Sequence, residues 1–341
     1  MELILDIDDT KIDSIIQNLE VGRRERPANY TDAITPYWAH HLSLIQVERV
    51  ATRKIRLTGE SGFYFPGMTY SGLDLINTIF KRFGLMRTIA GSEFDLSIPQ
   101  NGSKKFGYKI LGKWISSDYL RSIHHARKIV TQAKQGGISF PDNLRIAEIG
   151  SGTGIQALVF KQLFKKSTYF LVDFPETLAL AATFLNIVCP EAKILYHTEW
   201  KDNPELLNRD GYDFVFVPNY AISHIPESTI HLVINTVSMQ EMNYDTIAMY
   251  FREIRRILTG PSLFYQSNRD KMMDGVLIEV AKYPYIQEDV HLYQGIDEFQ
   301  LHTIATRKIL GRYPVLRMLK IPVLRKSIQL PSLTKMAKNQ K

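Results

Sequence analysis

The chain has 341 residues, enough for one large domain or two modest ones with a substantial core. Apolar residues make up 45% and charged residues 23%, which excludes wholesale disorder and a collagen-like repeat. Net charge is +7, but ten of the bases lie between His302 and Lys341 with no acid among them, which leaves the first 301 residues at about −3 and excludes a uniformly basic nucleic-acid binder. The single cysteine, Cys189, excludes an internal disulfide framework and a cysteine-based zinc site, and points to a reducing, cytoplasmic compartment. The opening MELILDIDDTKIDSII carries acids where a signal peptide needs bases, and no run reaches the roughly 18 apolar residues of a membrane span. Neither a secretion signal nor a transmembrane helix is expected.

Residues 1–140 read as a mainly helical N-terminal cap and substrate region, broken by aromatic and glycine-rich loops at Thr58–Gly72 and Ser97–Gly112. Leu73–Met86 has helical spacing, and Asp118–Lys134 reads as a helix closed by Gly136 and Gly137. From residue 141 the pattern changes. Apolar strand runs at Leu144–Gly150, Thr168–Phe174, Lys193–Thr198, Tyr212–Pro218, His231–Thr236 and Ser262–Ser267 alternate with helical runs at Ile155–Lys166 and Pro175–Val188. A further helical face is marked by Ile247, Phe251, Ile254 and Ile257. Strands that are apolar nearly throughout imply a mostly parallel sheet covered on both faces, so residues 141–300 are expected to form a Rossmann-like, doubly wound α/β domain. Residues 301–341 form a basic tail.

The most informative segment is EIGSGTG, Glu148–Gly154, between a strand and a helix. Glycines there permit a tight turn and let backbone N–H groups approach a ligand at a helix N-terminus. Asp173 closes the next strand, 19 residues past Gly154, where a carboxylate accepts hydrogen bonds from ribose hydroxyls; it also stands where a cap for the following helix would. A dinucleotide fold wants G-x-G-x-x-G/A, whereas here the third position is Ile155 and the last glycine comes one residue early. Glu148, two residues before the first glycine, suits a cationic ligand better than a pyrophosphate. A sulfonium with an amino-acid tail meets those demands; NAD(P) is the competing reading.

This E-x-G-x-G-x-G resembles motif I of class I S-adenosylmethionine-dependent methyltransferases. The resemblance implies cofactor contacts from Glu148, Gly150, Ser151, Gly152, Gly154, Asp173 and the adjoining Phe174. No N/D-P-P-aromatic motif of DNA amino-methyltransferases is present; the nearest segment, Val217–Tyr220, has a different order. Downstream, INTVSMQEM (Ile234–Met242) falls where such domains place reacting groups, at the carboxyl edge of the sheet. Asn235, Ser238, Gln240 and Glu241 there form a polar rim. Asn235 and Ser238 are assigned to its cofactor side and Gln240 to the substrate side. Together with FLVDFPETLALAATFL, the strand ending at Asn219 and Ile110–Ile123, this segment resembles the sugar O-methyltransferases found with bacterial surface-polysaccharide genes. The similarity spans roughly residues 110–270, and it implies a sugar or glycan acceptor; a small metabolite or lipid acceptor, and a cofactor-binding protein without catalysis, are the alternatives.

A sugar hydroxyl is a poor nucleophile at neutral pH, so a general base is expected. Glu241 is the first candidate and His125 the second, with His124 beside it; neighbours on a helix point about 100° apart, so one of the two faces a site. No metal is expected, because no carboxylate cluster is apparent. Tyr64 in the aromatic loop, with Phe63, Phe65, Tyr70, Tyr37 and Trp38, offers a stacking platform for sugar rings, or a core patch. Arg269, after the last strand, is placed to hold an acidic sugar or a phosphate. The tail Tyr313–Lys335 interleaves bases and apolar residues but is broken by Pro314, Pro322 and Pro331. It suits contact with an anionic membrane surface, or packing on the body with its bases solvated.

Overall fold

The computed structural model describes residues 2–28, 34–59, 92–110, 112–296 and 301–307. The chain divides into two units, Met1–Lys308 and Ile309–Lys341, and the second lies outside the described residues.

The N-terminal region is not simply helical. It opens with strand β1 (Glu2–Asp6), helix α1 (Asp9–Arg24), helix α2 (Pro36–Leu44) and strands β2 (Gln46–Ala51) and β3 (Lys54–Thr58), which form an antiparallel sheet in the order β1-β3-β2. The acids near the N-terminus start helix α1: the Asp8 carboxylate accepts the Thr10 N–H at 3.0 Å. The Ser97–Gly112 stretch, expected as loop, holds helix α3 (Gln100–Phe106) and one arm of a hairpin, β4 (Tyr108–Ile110) with β5 (Lys113–Ile115). The Leu73–Met86 expectation lies outside the described residues. Helix α4 (Ser117–Gln135) follows, capped by the Ser116 hydroxyl, with Gly136 as C-cap.

The remaining elements build one eight-stranded sheet: β6 (Arg145–Ile149), α5 (Ile155–Leu163), β7 (Thr168–Asp173), α6 (Pro175–Val188), β8 (Ile194–Leu195), α7 (His197–Trp200), β9 (Phe214–Pro218), β10 (Ile230–Thr236), α8 (Tyr244–Ile257), β11 (Leu258–Asn268), the hairpin β12 (Lys271–Met273) and β13 (Val276–Ile278), then β14 (Asp289–Ile296) and β15 (Leu301–Arg307). The order is β14-β15-β11-β10-β6-β7-β9-β8. Neighbouring pairs from β11 to β8 are parallel, while β15 runs antiparallel to both β11 and β14. From β6 the chain builds outward through β7 to β8 and β9, then crosses back to place β10 on the other side of β6. This is the Rossmann-like, doubly wound sheet expected from the sequence. Strand β15 falls inside the segment read as tail, so the sheet extends to Arg307 and the tail shortens accordingly.

Alternating residues of the strands feed two cores. Ile146, Leu171, Phe214, Leu232 and Leu263 pack with α1, α4, α5 and α6 on one face. Ala147, Phe170, Val172, Val215 and Val233 pack with the apolar stripe of α8 on the other. Both faces are covered, which is why the strand sequences are apolar throughout.

Candidate functional site

The crossing between β6 and β10 leaves a crevice beyond the carboxyl ends of the strands, where open α/β sheets bind ligands. A cavity of about 340 Å³ lies there, within the usual range for small-molecule sites. Its floor is the turn after β6. Gly150, Gly152 and Gly154 have φ of +74°, +54° and +78°, the left-handed region that favours glycine. Their roles differ. A Cβ on Gly150 would fall 2.1 Å from Ser238 Oγ, so here glycine permits β6 and β10 to end in contact. A Cβ on Gly152 would meet nothing within 4 Å, and this residue lines the cavity. Gly154, expected at the cofactor, instead begins α5 and packs on Leu185, Ala181 and Leu171; among the residues lining the cavity it has no place.

Asp173 sits at the end of β7, buried, and lines the cavity. Its Oδ2 accepts the Gly152 N–H at 2.8 Å and its Oδ1 the Phe174 N–H at 2.7 Å. Burial pushes its carboxyl up to about 7 against the lowering effect of those two N–H groups. The cap of α6 is Phe174, with no side-chain bond, so Asp173 braces the glycine turn and the backbone of Phe174. Glu148 is 2% exposed and accepts the Tyr169 hydroxyl at 2.9 Å; burial holds its carboxyl well above the usual range. Glu148, Ser151 and Phe174 line the cavity, and the Phe174 ring packs against Trp38 with centroids 5.6 Å apart.

The opposite side is built from β10 and the turn after it. Val237 lines the cavity at φ +63°, a strained position for a β-branched residue, held by its N–H to Ser267 O at 2.9 Å. Strain of this kind collects at functional sites, and no sequence signal foretold it. Ser238 lines the cavity, its hydroxyl donating to Ile149 O at 3.1 Å. Asn235 does not reach the cavity wall. It is fully buried, donates to Ile149 O at 2.8 Å and to Ser238 Oγ at 2.6 Å, and accepts from Asn268 at 2.8 Å. It positions Ser238 and the β6 terminus. Gln240 is likewise fully buried, its Oε1 accepting the Arg269 N–H at 3.0 Å, because the Met239–Glu241 turn folds it inward; it is not on the cavity wall. Arg269 is exposed and also lies off the wall. Tyr64 and the rest of the aromatic loop fall outside the described residues.

Glu241 does face the cavity. It is 6% exposed, and its Oε1 accepts from Lys271 Nζ at 2.7 Å. Burial raises its carboxyl and Lys271 opposes the rise. Lys271 also lies over the Tyr37 ring, 4.7 Å from its centroid. Of the two adjacent histidines, His125 lines the cavity, and its Nδ1 lies 2.6 Å from the Tyr265 hydroxyl. Among the described residues no three His, Cys, Asp or Glu side chains gather into a metal centre, and no helix is long and apolar enough to cross a membrane.

Sequence reasoning missed Lys271, Asp118, Arg121 and Gln156. The last three line the cavity, and only the Asp118–Lys134 helix and its His124/His125 pair had pointed there. Strand order, crossover and glycine turn make residues 145–307 a Rossmann-like fold with a cleft at the switch point.

No protein-family model matches the chain, and no curated protein matches its sequence. Among solved structures it is similar to PKMT2 from Rickettsia typhi in complex with AdoHcy, at 15% identity over 38% of this chain and 22% of that one, with a TM-score of 0.28. It is similar to a SAM-dependent methyltransferase from Aquifex aeolicus, at 11% identity over 53% and 89%, TM-score 0.32. The mitomycin 7-O-methyltransferase MmcR gives 11% identity over 57% of each chain, TM-score 0.34. The chain thus spans about a fifth of the Rickettsia protein and little over half of MmcR. Likenesses this distant carry no functional weight; the fold class rests on the strand order itself.

Proposed function

We propose that this protein is an S-adenosylmethionine-dependent O-methyltransferase whose acceptor is a sugar hydroxyl of a surface glycan or its precursor. The observation that carries the proposal is one cleft holding both halves of such a site: the Gly150–Gly152 turn braced by buried Asp173 on one side, and the buried Glu241 carboxylate on the other. The residues present fit the cofactor. Gly152 leaves open space where a side chain would stand, Asp173 offers a carboxylate to ribose hydroxyls, and Trp38 with Phe174 gives flat apolar surface for a base.

When bound, S-adenosylmethionine supplies a methyl group on a sulfonium, already activated toward a nucleophile. The chain's task is then to orient the acceptor and remove a proton. Lys271 holds Glu241 by Oε1, which fixes the carboxylate and favours its ionised form; Oε2 takes the acceptor's hydroxyl proton. His125, held by Tyr265, is the competing base. The sugar rests on the resemblance of residues 110–270 to sugar O-methyltransferases. The cytoplasm, with the basic tail at the inner membrane face, is the location this acceptor suits.

Calorimetric titration with S-adenosylhomocysteine, with NADH as control, tests the cofactor. Micromolar binding of the first, lost in Asp173→Ala, is expected; binding of NADH alone, or of neither, overturns the reading. Transfer of labelled methyl from S-adenosylmethionine to a panel of free, nucleotide-linked and lipid-linked sugars tests the acceptor. Transfer to phenols or lipids but to no sugar overturns that part.

A further inference from the structure

One wall of the cleft comes from outside the sheet. Asp118, Arg121, Ser122 and His125 stand at i, i+3, i+4 and i+7 of α4, which places them on one helix face. All four line the same cavity as the glycine turn. Two hydrogen bonds fix the helix in this orientation: Tyr119 donates its hydroxyl to Gln162 on α5, and His125 meets Tyr265 on β11.

Asp118 and Arg121 form an ion pair, Oδ1 to Nη2 at 2.9 Å, so the wall presents a negative and a positive group side by side. A half-exposed pair one turn apart adds little to helix stability, so stability is a weak reason for it to face a cleft. Lining the same cavity, two side chains from the glycine turn and the start of α5 are buried without a hydrogen-bond partner: Ser151 Oγ, at 6% residue exposure, and Gln156 Nε2, at 4%. A buried amide N–H without an acceptor is costly unless a ligand supplies one.

We propose that this wall receives the α-amino-acid end of the ligand, with Arg121 and Gln156 holding its carboxylate and Asp118 its ammonium. The proposal rests on the S-adenosyl reading and adds which residues hold the charged tail. A guanidinium matches a carboxylate with two parallel N–H bonds, and the Gln156 amide adds a third donor. As the tail enters, Asp118 and Arg121 exchange each other for the ligand's ammonium and carboxylate, so no charge is left unpaired. A nucleoside without the tail leaves the pair as it stands. Cofactor binding is thereby tied to the N-terminal region.

The test compares S-adenosylhomocysteine with 5′-methylthioadenosine, which keeps the nucleoside and thioether but lacks the amino acid, by calorimetry on the full chain. Wild type is expected to bind the first more tightly. Arg121→Met should weaken S-adenosylhomocysteine by roughly 10- to 100-fold and 5′-methylthioadenosine by less than about twofold, with Arg121→Lys retaining part of the difference. Gln156→Leu should show the same selective loss at smaller size. Arg121 is partly exposed, so an unchanged unfolding midpoint confirms that Arg121→Met folds. Equal losses for both ligands, or no loss for either, overturn the clamp while leaving the cofactor reading intact. If the wild-type chain binds neither ligand, the cofactor reading falls and the clamp with it.

Discussion

The two sides of the cleft are built differently. Around Gly150, Gly152 and Asp173, geometry is made by backbone: left-handed φ values, a Cβ-free approach of two strands, and a carboxylate receiving two main-chain N–H groups. Around Glu241 it is made by side chains from separate segments, with Lys271 arriving from a hairpin and Tyr37 from the N-terminal region. Backbone-built geometry demands particular residue types at fixed spacing, so substitution there disturbs fold and binding together. Side-chain geometry can lose its chemistry while the scaffold stands.

Substitutions separate these modes. The largest effect is expected for Glu241→Gln, which should lower turnover on the acceptor by about 10²- to 10⁴-fold while S-adenosylhomocysteine affinity stays within about twofold. Steady-state kinetics beside calorimetry would show it, and unchanged turnover would move the base to His125. Asp173→Ala should cost S-adenosylhomocysteine on the order of 100-fold in affinity. The same residue sets a pH dependence. With its carboxyl raised to about 7 from an ordinary 3.8, the folded chain keeps a proton that the unfolded chain has released; stability therefore falls as pH rises from about 4 to 7. Hydroxyl donors favour the ionised form, so affinity should rise by up to about tenfold per pH unit below 7 and level off above it. Asp173→Asn should flatten that slope.

Two glycine substitutions sharpen the contrast within the backbone-built side. Gly150→Ala forces a Cβ onto Ser238 as well as left-handed strain, and should cost roughly 2–4 kcal/mol in denaturant unfolding. Gly152→Ala meets only the strain, about 1 kcal/mol. Equal costs would mean that β10 yields to the added methyl.

The same contrast explains what the sequence made legible. Glu148, Gly150–Gly152 and Asp173 could be placed at the cleft because a turn with left-handed residues between a strand and a helix restricts which amino acids can occupy it. Gln240 and Asn235 were misplaced because polar residues at the end of a strand and in the turn after it read as a rim, whereas a two-sided sheet buries Asn235 and a short 3-10 turn buries Gln240. Lys271 and the Asp118–Arg121 pair carry no local signal; only the chain's return from distant positions brings them to the cleft. The N-terminal sheet escaped notice because β1 is five residues long and runs straight into the acids of a helix start.

Strand β8 is two residues long, whereas β14, at the opposite margin of the sheet, has eight. A strand from a second chain would find almost no open ladder of N–H and C=O groups beside β8, so of these two margins only β14 is long enough to template addition. The extremity fed early by the glycine-turn crossovers is therefore sealed by brevity. Within the eight-stranded sheet, growth by strand addition is thus favoured at the β14 end over the β8 end.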